Sequence, residues 1–295
     1  MDPITQAEIA SFTDWHVDVN NPGESVIFPG PIPVPKKFAE FVRVMTAEFL
    51  SAHKPGRRSF RLEVGGLHYR VQMIRDGRFA ARTLPGKLIP LDGLRLPVEA
   101  MGMLMDPGLK TSGGLMLLSG LTGSGKTWTA AAAVAKRLQQ YGGYCLAVED
   151  PPEVPIEGFH GNGYCEQVDV SEDGYHDRLV SAMRCFPARE QSMLFFGEVR
   201  DPASAAELLR IAVDGHLVVS TIHAKDNQAA LQRLLALAQH GGEPEARALL
   251  SSSLKLCAHQ SIASRMDPPL ISVTKATPAL TAAVRNGSVA ATDMS

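Results

Sequence analysis

The residues Gly120-Leu121-Thr122-Gly123-Ser124-Gly125-Lys126-Thr127 combine types and spacing that suit one chemistry. They fit Gly-x-x-x-x-Gly-Lys-Ser/Thr, a loop whose backbone N–H groups wrap the phosphates of ATP or GTP. In this reading Gly120, Thr122, Gly123, Ser124, Gly125, Lys126, Thr127 and Trp128 hold the nucleotide. The Lys126 ammonium sits on the β/γ-phosphates, and the Thr127 hydroxyl is a ligand of Mg²⁺.

Two flanking elements must position that loop. Leu115 to Ser119 is a short apolar run, read as a buried strand, and Trp128 to Gln140 is an alanine-rich helical pattern ending near Gly142-Gly143. The order strand, loop, helix places free N–H groups of a helix start where an anion binds. Further strands are predicted over Tyr144–Val148, Met193–Gly197 and Leu217–Thr221, alternating with helices over Gly174–Cys185, Ala203–Val213, Asn227–Gln239 and Pro244–His259. A glycine-rich excursion is expected from Gly158 to Gly174. Alternating strands and helices imply a mainly parallel sheet with helices on both faces, an α/β domain.

Ligands of such sheets sit beyond the carboxyl ends of the strands. There the sequence delivers Glu149-Asp150-Pro151-Pro152-Glu153, Gly197-Glu198-Val199-Arg200-Asp201 and Ser220-Thr221-Ile222-His223. Phosphoryl transfer to water needs a carboxylate for the water, one for the metal and a cation for the developing charge. Glu198 is assigned the water and Mg²⁺, the latter directly or through water, Glu149 a cooperating role, and Arg200 the cation. His216 and His223 are seven apart, an odd spacing that turns them to opposite faces of a strand and argues against a shared zinc. For His223 a hydrogen bond sensing the γ-phosphate or a neighbouring subunit is favoured over a core role. For His216 a nucleotide contact and a core role both stand.

Before this region, Lys37–Ala52 has helical spacing, with Phe38, Phe41, Val42, Met45 and Phe49 on one face. Phe60–Val64 and His68–Ile74 flank a Gly65-Gly66 turn, a hairpin signal, and Arg78–Leu84 is a third strand. One helix on a meander makes a small α+β domain, so the chain divides into 1–100 and 101–295. From Lys54 to Lys87 stand nine basic residues (Lys54, Arg57, Arg58, Arg61, Arg70, Arg75, Arg78, Arg82, Lys87) against Glu63 and Asp76. Three readings stand: a solvated sheet face, nucleic-acid binding without the paired aromatics for stacking, or arginines reaching a triphosphate across a domain or subunit boundary.

Composition excludes several classes. The formal charge of −2 gives no overall pull toward nucleic acid or anionic membrane. No apolar run approaches the roughly 18 residues of a spanning helix, and Met1–Gln6 lacks the features of a secretory signal. Cys145, Cys165, Cys185 and Cys257 form no Cys-x-x-Cys pair, which suggests reduced thiols and a cytoplasmic placement.

The ordered set of phosphate loop, Val148-Glu149-Asp150-Pro151-Pro152-Glu153, Gly197-Glu198-Val199-Arg200-Asp201-Pro202 and Gly215-His216-Leu217-Val218-Val219-Ser220-Thr221-Ile222-His223-Ala224 resembles the type II/type IV secretion ATPases, nearest the PilT-like branch. In that family these are the Walker A, aspartate, atypical Walker B and histidine boxes. Thr13-Asp14-Trp15-His16-Val17 resembles the family's opening segment, and Ala276–Leu280 the start of its C-terminal motif, from which Thr281–Asn286 departs. Tyr69-Arg70-Val71 with Arg82 resembles the arginine-bearing strands of its N-terminal PAS-like domain, and that likeness selects Arg70 and Arg82 for the γ-phosphate.

The resemblance implies a RecA-like P-loop domain preceded by a small PAS-like domain. It implies a hexamer that hydrolyses ATP with Mg²⁺ and docks on an inner-membrane pilus or secretion platform protein. The expected location is the cytoplasm, peripheral to that membrane. Nucleic acid is not expected as a direct ligand. The rival readings are a P-loop kinase, a DNA translocase and a regulatory subunit that binds nucleotide without hydrolysing it.

Overall fold

The computed structural model describes residues 5–53, 58–170, 179, 183–190, 192–264 and 267–290. The helix expected over Gly174–Cys185 falls largely outside them. The chain forms two compact units, residues 1–87 with 151–155, and residues 88–150 with 156–295.

In the first unit a short helix α1 (Gln6–Ala10) is followed by β1 (Asp14–Asp18), β2 (Val26–Phe28) and β3 (Ile32–Pro33). Helix α2 (Ala39–Ala52) then leads to β4 (Ser59–Val64), β5 (Leu67–Arg75) and β6 (Arg78–Thr83). The six strands form one antiparallel sheet in the order β3-β2-β1-β6-β5-β4. The expected meander of three strands is thus half of the sheet. Strand β1 carries little local signal, because only Trp15 and Val17 mark its inward face between polar neighbours. Trp15, Val17, Tyr69, Val71, Phe79 and Ala81 share a core with Val42, Met45 and Phe49 of α2, so period-2 and period-3.6 apolar patterns meet in one layer pair.

The second unit begins earlier than residue 101. A turn at Leu91–Leu94 and helix α3 (Val98–Leu104) belong to it, the first tied by Lys136 Nζ to Asp92 at 2.7 Å and the second by Arg137 to the Leu104 carbonyl at 3.0 Å. The division therefore falls after Lys87 rather than near residue 100. Helix α4 (Gly108–Ser112) leads into β7 (Gly114–Ser119), α5 (Lys126–Tyr141), β8 (Gly143–Glu149), β9 (Gly158–His160) and β10 (Gly163–Asp169). Next come β11 (Ser192–Val199), α6 (Pro202–Ala212), β12 (Leu217–Ile222) and α7 (Asn227–His240). The described chain closes with α8 (Ala246–Ser253), β13 (Leu254–Ser261), β14 (Leu270–Lys275) and α9 (Pro278–Asn286).

The strand order is β14-β13-β7-β12-β11-β8-β10-β9, parallel from β13 to β10 with antiparallel edges. This is the expected α/β, RecA-like arrangement, with two corrections. The glycine-rich excursion contains β10, a full parallel strand beside β8. The helix predicted over Pro244–His259 ends at Ser253, because Leu254, Leu256, Cys257 and Ala258 pair with the buried β7. All six residues of β7 are buried, as a strand flanked on both edges and covered on both faces must be.

Candidate nucleotide-binding site

Strand order dictates which functional side chains can meet. Across the carboxyl edge the sequence runs β7, β12, β11, β8, so the phosphate loop comes first, then His223, then Glu198, then Glu149. Measured distances follow that order. Lys126 Nζ lies 3.4 Å from His223 Nδ1 and 3.3 Å from Glu198 Oε1. His223 Nε2 lies 2.8 Å from the same Oε1, and Arg200 Nε donates to Glu198 Oε2 at 2.6 Å. Oε2 thus accepts a hydrogen bond while Oε1 lies within ion-pair distance of Lys126 and His223 without meeting hydrogen-bond geometry among the described residues, in a position where 13% of the side chain is exposed.

The loop between β7 and α5 has the conformation that its glycines permit. Gly123 and Gly125 both have φ of +80°, in the left-handed region that a side chain disfavours. A Cβ on Gly120 would collide with the Gln260 carbonyl and Ser124 Oγ. Gly125 is the residue preceding α5, so the first free N–H groups of that helix open into the loop. Ser124 and Lys126 are buried, Thr127 and Trp128 half-buried, and Thr122 and Gly123 exposed.

Electrostatics sets the state of the trio. Burial pushes the Glu198 carboxyl up, but the Arg200 hydrogen bond and the charges of Lys126, Arg200 and His223 outweigh it and hold the group below the usual carboxylate range. Burial lowers His223, and Lys126 and Arg200 lower it further against the opposing pull of Glu198 and a Gly120 backbone hydrogen bond. The site therefore pairs an ionised carboxylate with a neutral imidazole near neutral pH.

Glu149 sits one strand beyond the trio. It is 3% exposed, and its Oε1 accepts from Gln167 Nε2 at 2.7 Å. It packs beside Gly197, where strand β11 carries a bulge: its register with β12 shifts between Phe196 and Glu198. Thr221 Oγ1 donates to the Gly197 carbonyl at 3.0 Å and fixes that irregular step. Arg200 also reaches the Asp150 carbonyl, at 3.5 Å.

His216 does not join this site. It precedes the first residue of β12, at the end opposite the phosphate loop, and its ring lies 4.7 Å from that of Phe186. Arg70 and Arg82 are register partners on β5 and β6 in the first unit. With Asp14, Gln72 and Ala80 they line a cavity of about 210 Å³. Arg70 pairs with Glu153 at 2.6 Å and Arg82 with Asp14 at 2.8 Å.

Sequence reasoning passed over Gln167 and Gln260, the amides that hold Glu149 and the phosphate loop. Recognising β10 and β13 as strands would have exposed both, since each amide stands near the carboxyl end of its strand. It also passed over His259, whose Nδ1 lies 3.1 Å from Ser119 Oγ at the foot of the loop.

The competence protein ComGA of Bacillus subtilis is 30% identical over 236 residues, covering 75% of this chain and 63% of that protein. The type II secretion system protein HxcR of Pseudomonas aeruginosa is 31% identical over 196 residues, covering 62% of this chain and 36% of the relative. The chain thus spans less than two thirds of the length of either curated relative. Among solved structures, the pilus retraction motor PilT with bound ADP superposes with a TM-score of 0.70 at 21% identity, covering 97% of this chain and 87% of that one, and so shares the fold. The family model described as Type II/IV secretion system protein matches residues 41–291, and the chain belongs to that family.

Proposed function

We propose that this chain is an ATP-hydrolysing motor subunit, working as a ring hexamer to power a type IV pilus or a type IV or conjugative secretion machine. The observation that carries the reading is the convergence of Lys126, His223, Glu198 and Arg200 beside a phosphate loop. ATP is the substrate. Gly120 to Gly125 wrap its phosphates, and Lys126 exchanges Glu198 for the β/γ oxygens. Thr127 and Glu198 would hold Mg²⁺ through oxygen donors of the kind it prefers, and the ion would supply positive charge to offset that of the phosphates.

Released from Lys126, the Glu198 carboxylate orients the attacking water and accepts its proton at Oε1 or Oε2. Arg200 offsets charge, His223 hydrogen-bonds the terminal phosphate, and Glu149 cooperates from the neighbouring strand. Arg70 and Arg82 supply arginines for the γ-phosphate of this chain or of a neighbouring subunit, after leaving Glu153 and Asp14. Phosphoryl transfer of this kind depends on positioning and charge more than on covalent chemistry, which suits a site built from fixed strand ends.

The relatives' names, a competence protein and a type II secretion protein, support a machine-driving role. The partner is an inner-membrane platform protein, and the chain works at the cytoplasmic face of that membrane. Among the described residues no helix is long and apolar enough to cross a membrane.

Phosphate release from MgATP by the purified chain, with no acceptor added, tests the reading alongside its assembled mass. A hexamer that releases phosphate, and loses that activity on Lys126→Ala, is the expected result. Nucleotide binding without release would instead make the chain a regulatory subunit. Turnover that requires DNA and falls steeply with salt would make it a translocase.

A further inference from the structure

Gln260 lies outside every phosphate-binding motif of the sequence, yet it touches the loop twice. It stands on β13, the strand beside β7. Its Nε2 donates to the Ser124 carbonyl at 2.7 Å, in a side chain 2% exposed. The same nitrogen is 3.0 Å from where a Cβ on Gly125 would stand, and the Gln260 backbone carbonyl occupies the space a Cβ on Gly120 would need. One residue therefore closes on the loop at its first glycine and at its last.

The burial of Gln260 is costly. Among the described residues its Oε1 finds no hydrogen-bond partner, and neither does Ser124 Oγ. An unsatisfied buried oxygen weakens a fold, and a leucine or methionine would fill the same volume without that penalty. Packing alone does not account for an amide here. The bond to Ser124 does. A trans peptide is planar, so its carbonyl and N–H point in opposite directions. Holding the Ser124 oxygen toward β13 turns the Gly125 N–H away from β13. Gly125, which borders that peptide, would otherwise leave it freer to rotate.

We propose that Gln260 is a positioning residue for nucleotide phosphates, locking the Ser124–Gly125 peptide so that the loop is shaped before the ligand arrives. This rests on reading Gly120–Thr127 as a nucleotide site. Preorganisation of this kind lowers the ordering cost of binding and acts on affinity ahead of chemistry.

Gln260→Leu and Gln260→Glu in the full chain test it with two readouts. The first is amide hydrogen exchange without nucleotide, comparing Gly123–Thr127 with Ala130–Val134 in the interior of α5. The second is the Kd of a fluorescent ADP analogue, with KM and kcat for ATP. In Gln260→Leu the loop amides should exchange about tenfold faster while the α5 interior is unchanged, the loss of one net hydrogen bond. Kd and KM should each rise about tenfold with kcat altered less than about threefold. Gln260→Glu should be deficient relative to wild type at pH 8 and recover at pH 6, where the buried carboxyl takes a proton and donates in place of the amide.

Unchanged loop exchange and Kd in Gln260→Leu would overturn the proposal. So would a Gln260→Glu deficit that is equal at both pH values, and this second variant decides the matter if the leucine variant does not fold. A wild-type chain that binds no nucleotide would remove the functional reading and, with it, the role in phosphate binding, while the exchange comparison would still report whether Gln260 holds the loop.

Discussion

Gly197 and Glu149 stand side by side on neighbouring strands, so closely that a Cβ on Gly197 would lie 3.0 Å from Glu149 Cγ and 3.4 Å from its Cα. This contact explains why a glycine stands immediately before Glu198. A side chain there would displace the buried Glu149 carboxylate from Gln167. The glycine also carries the bulge that turns Glu198 toward Lys126 and His223.

Gly197→Ala should therefore lose about 1–3 kcal/mol of stability, the cost of overpacking a tight site. Removing Glu149 beyond its Cβ should relieve that cost. In a urea-denaturation cycle with Glu149→Ala, a coupling of about 1 kcal/mol between the two changes is expected for residues in direct contact. Strict additivity would show that the contact is not what demands glycine.

Glu198→Gln keeps the size and one oxygen of the side chain but loses the base. Turnover should fall about 100-fold or more while ATP binding persists, as measured by single-turnover hydrolysis and equilibrium binding. A variant that turns over normally would move the base elsewhere on the sheet edge.

Burial, with Lys126 and Arg200, holds the folded-state pKa of His223 below its ordinary 6.5, against Glu198. The sign follows from linkage: stability from the neutral ring is fully present above 6.5 and is lost as pH falls from there through the lower folded-state value. His223→Gln removes that dependence. Thermal melts and kcat/KM from pH 8 to pH 5 should show wild type falling relative to the variant only below about 6.5. Parallel profiles across the whole range would exclude titration of this ring.

Gln167→Ala takes the amide from Glu149 Oε1 without touching the phosphate loop. A kcat reduction of about tenfold with KM nearly unchanged is the outcome for an interaction that serves a cooperating carboxylate. A rise in KM alone would place Gln167 in nucleotide binding instead.

Arg70 and Arg82 now face carboxylates, Glu153 and Asp14. If each reaches the γ-phosphate during turnover, replacing either with alanine should cut kcat about 1000-fold, the scale of an arginine finger. Nucleotide affinity of the isolated chain should hold. Normal kcat in both variants would reduce them to ion pairs on a sheet face.

The loop between β7 and α5 was legible in the sequence because its glycine spacing marks backbone positions that a side chain disfavours, such as those Gly123 and Gly125 occupy. Glu198 and His223 were legible because each stands at the carboxyl end of a short apolar run that its alternation with helices marks as a parallel strand. Strand β10 was not, since Gly158, Gly161, Gly163, His160 and Asn162 read as loop and its partner β8 supplies the pairing from outside the segment. The end of α8 was missed because Leu250, Leu254 and Ala258 keep a spacing of four, and short apolar runs do not separate helix from strand. Gln167 and Gln260 carry no local signal at all: an isolated amide gains meaning only from the strand placed next to it. For His216 the sequence leaves a nucleotide contact and a core role open, and its place before β12, at the end away from the phosphate loop and beside Phe186, keeps it from the Glu198 cluster.

The segment Pro151–Pro155 clusters with the first unit although it continues directly from β8 of the second. Three peptide links, after Lys87, Asp150 and Pro155, therefore join the two units, and a single cut cannot part them. A fragment ending at Lys87 would lack Glu153 and leave the Arg70 guanidinium without its counter-ion. The complementary fragment would carry a five-residue stretch shorn of its packing. Biochemical dissection calls for an excised, bridged loop, and activities of simple truncations report on damaged halves.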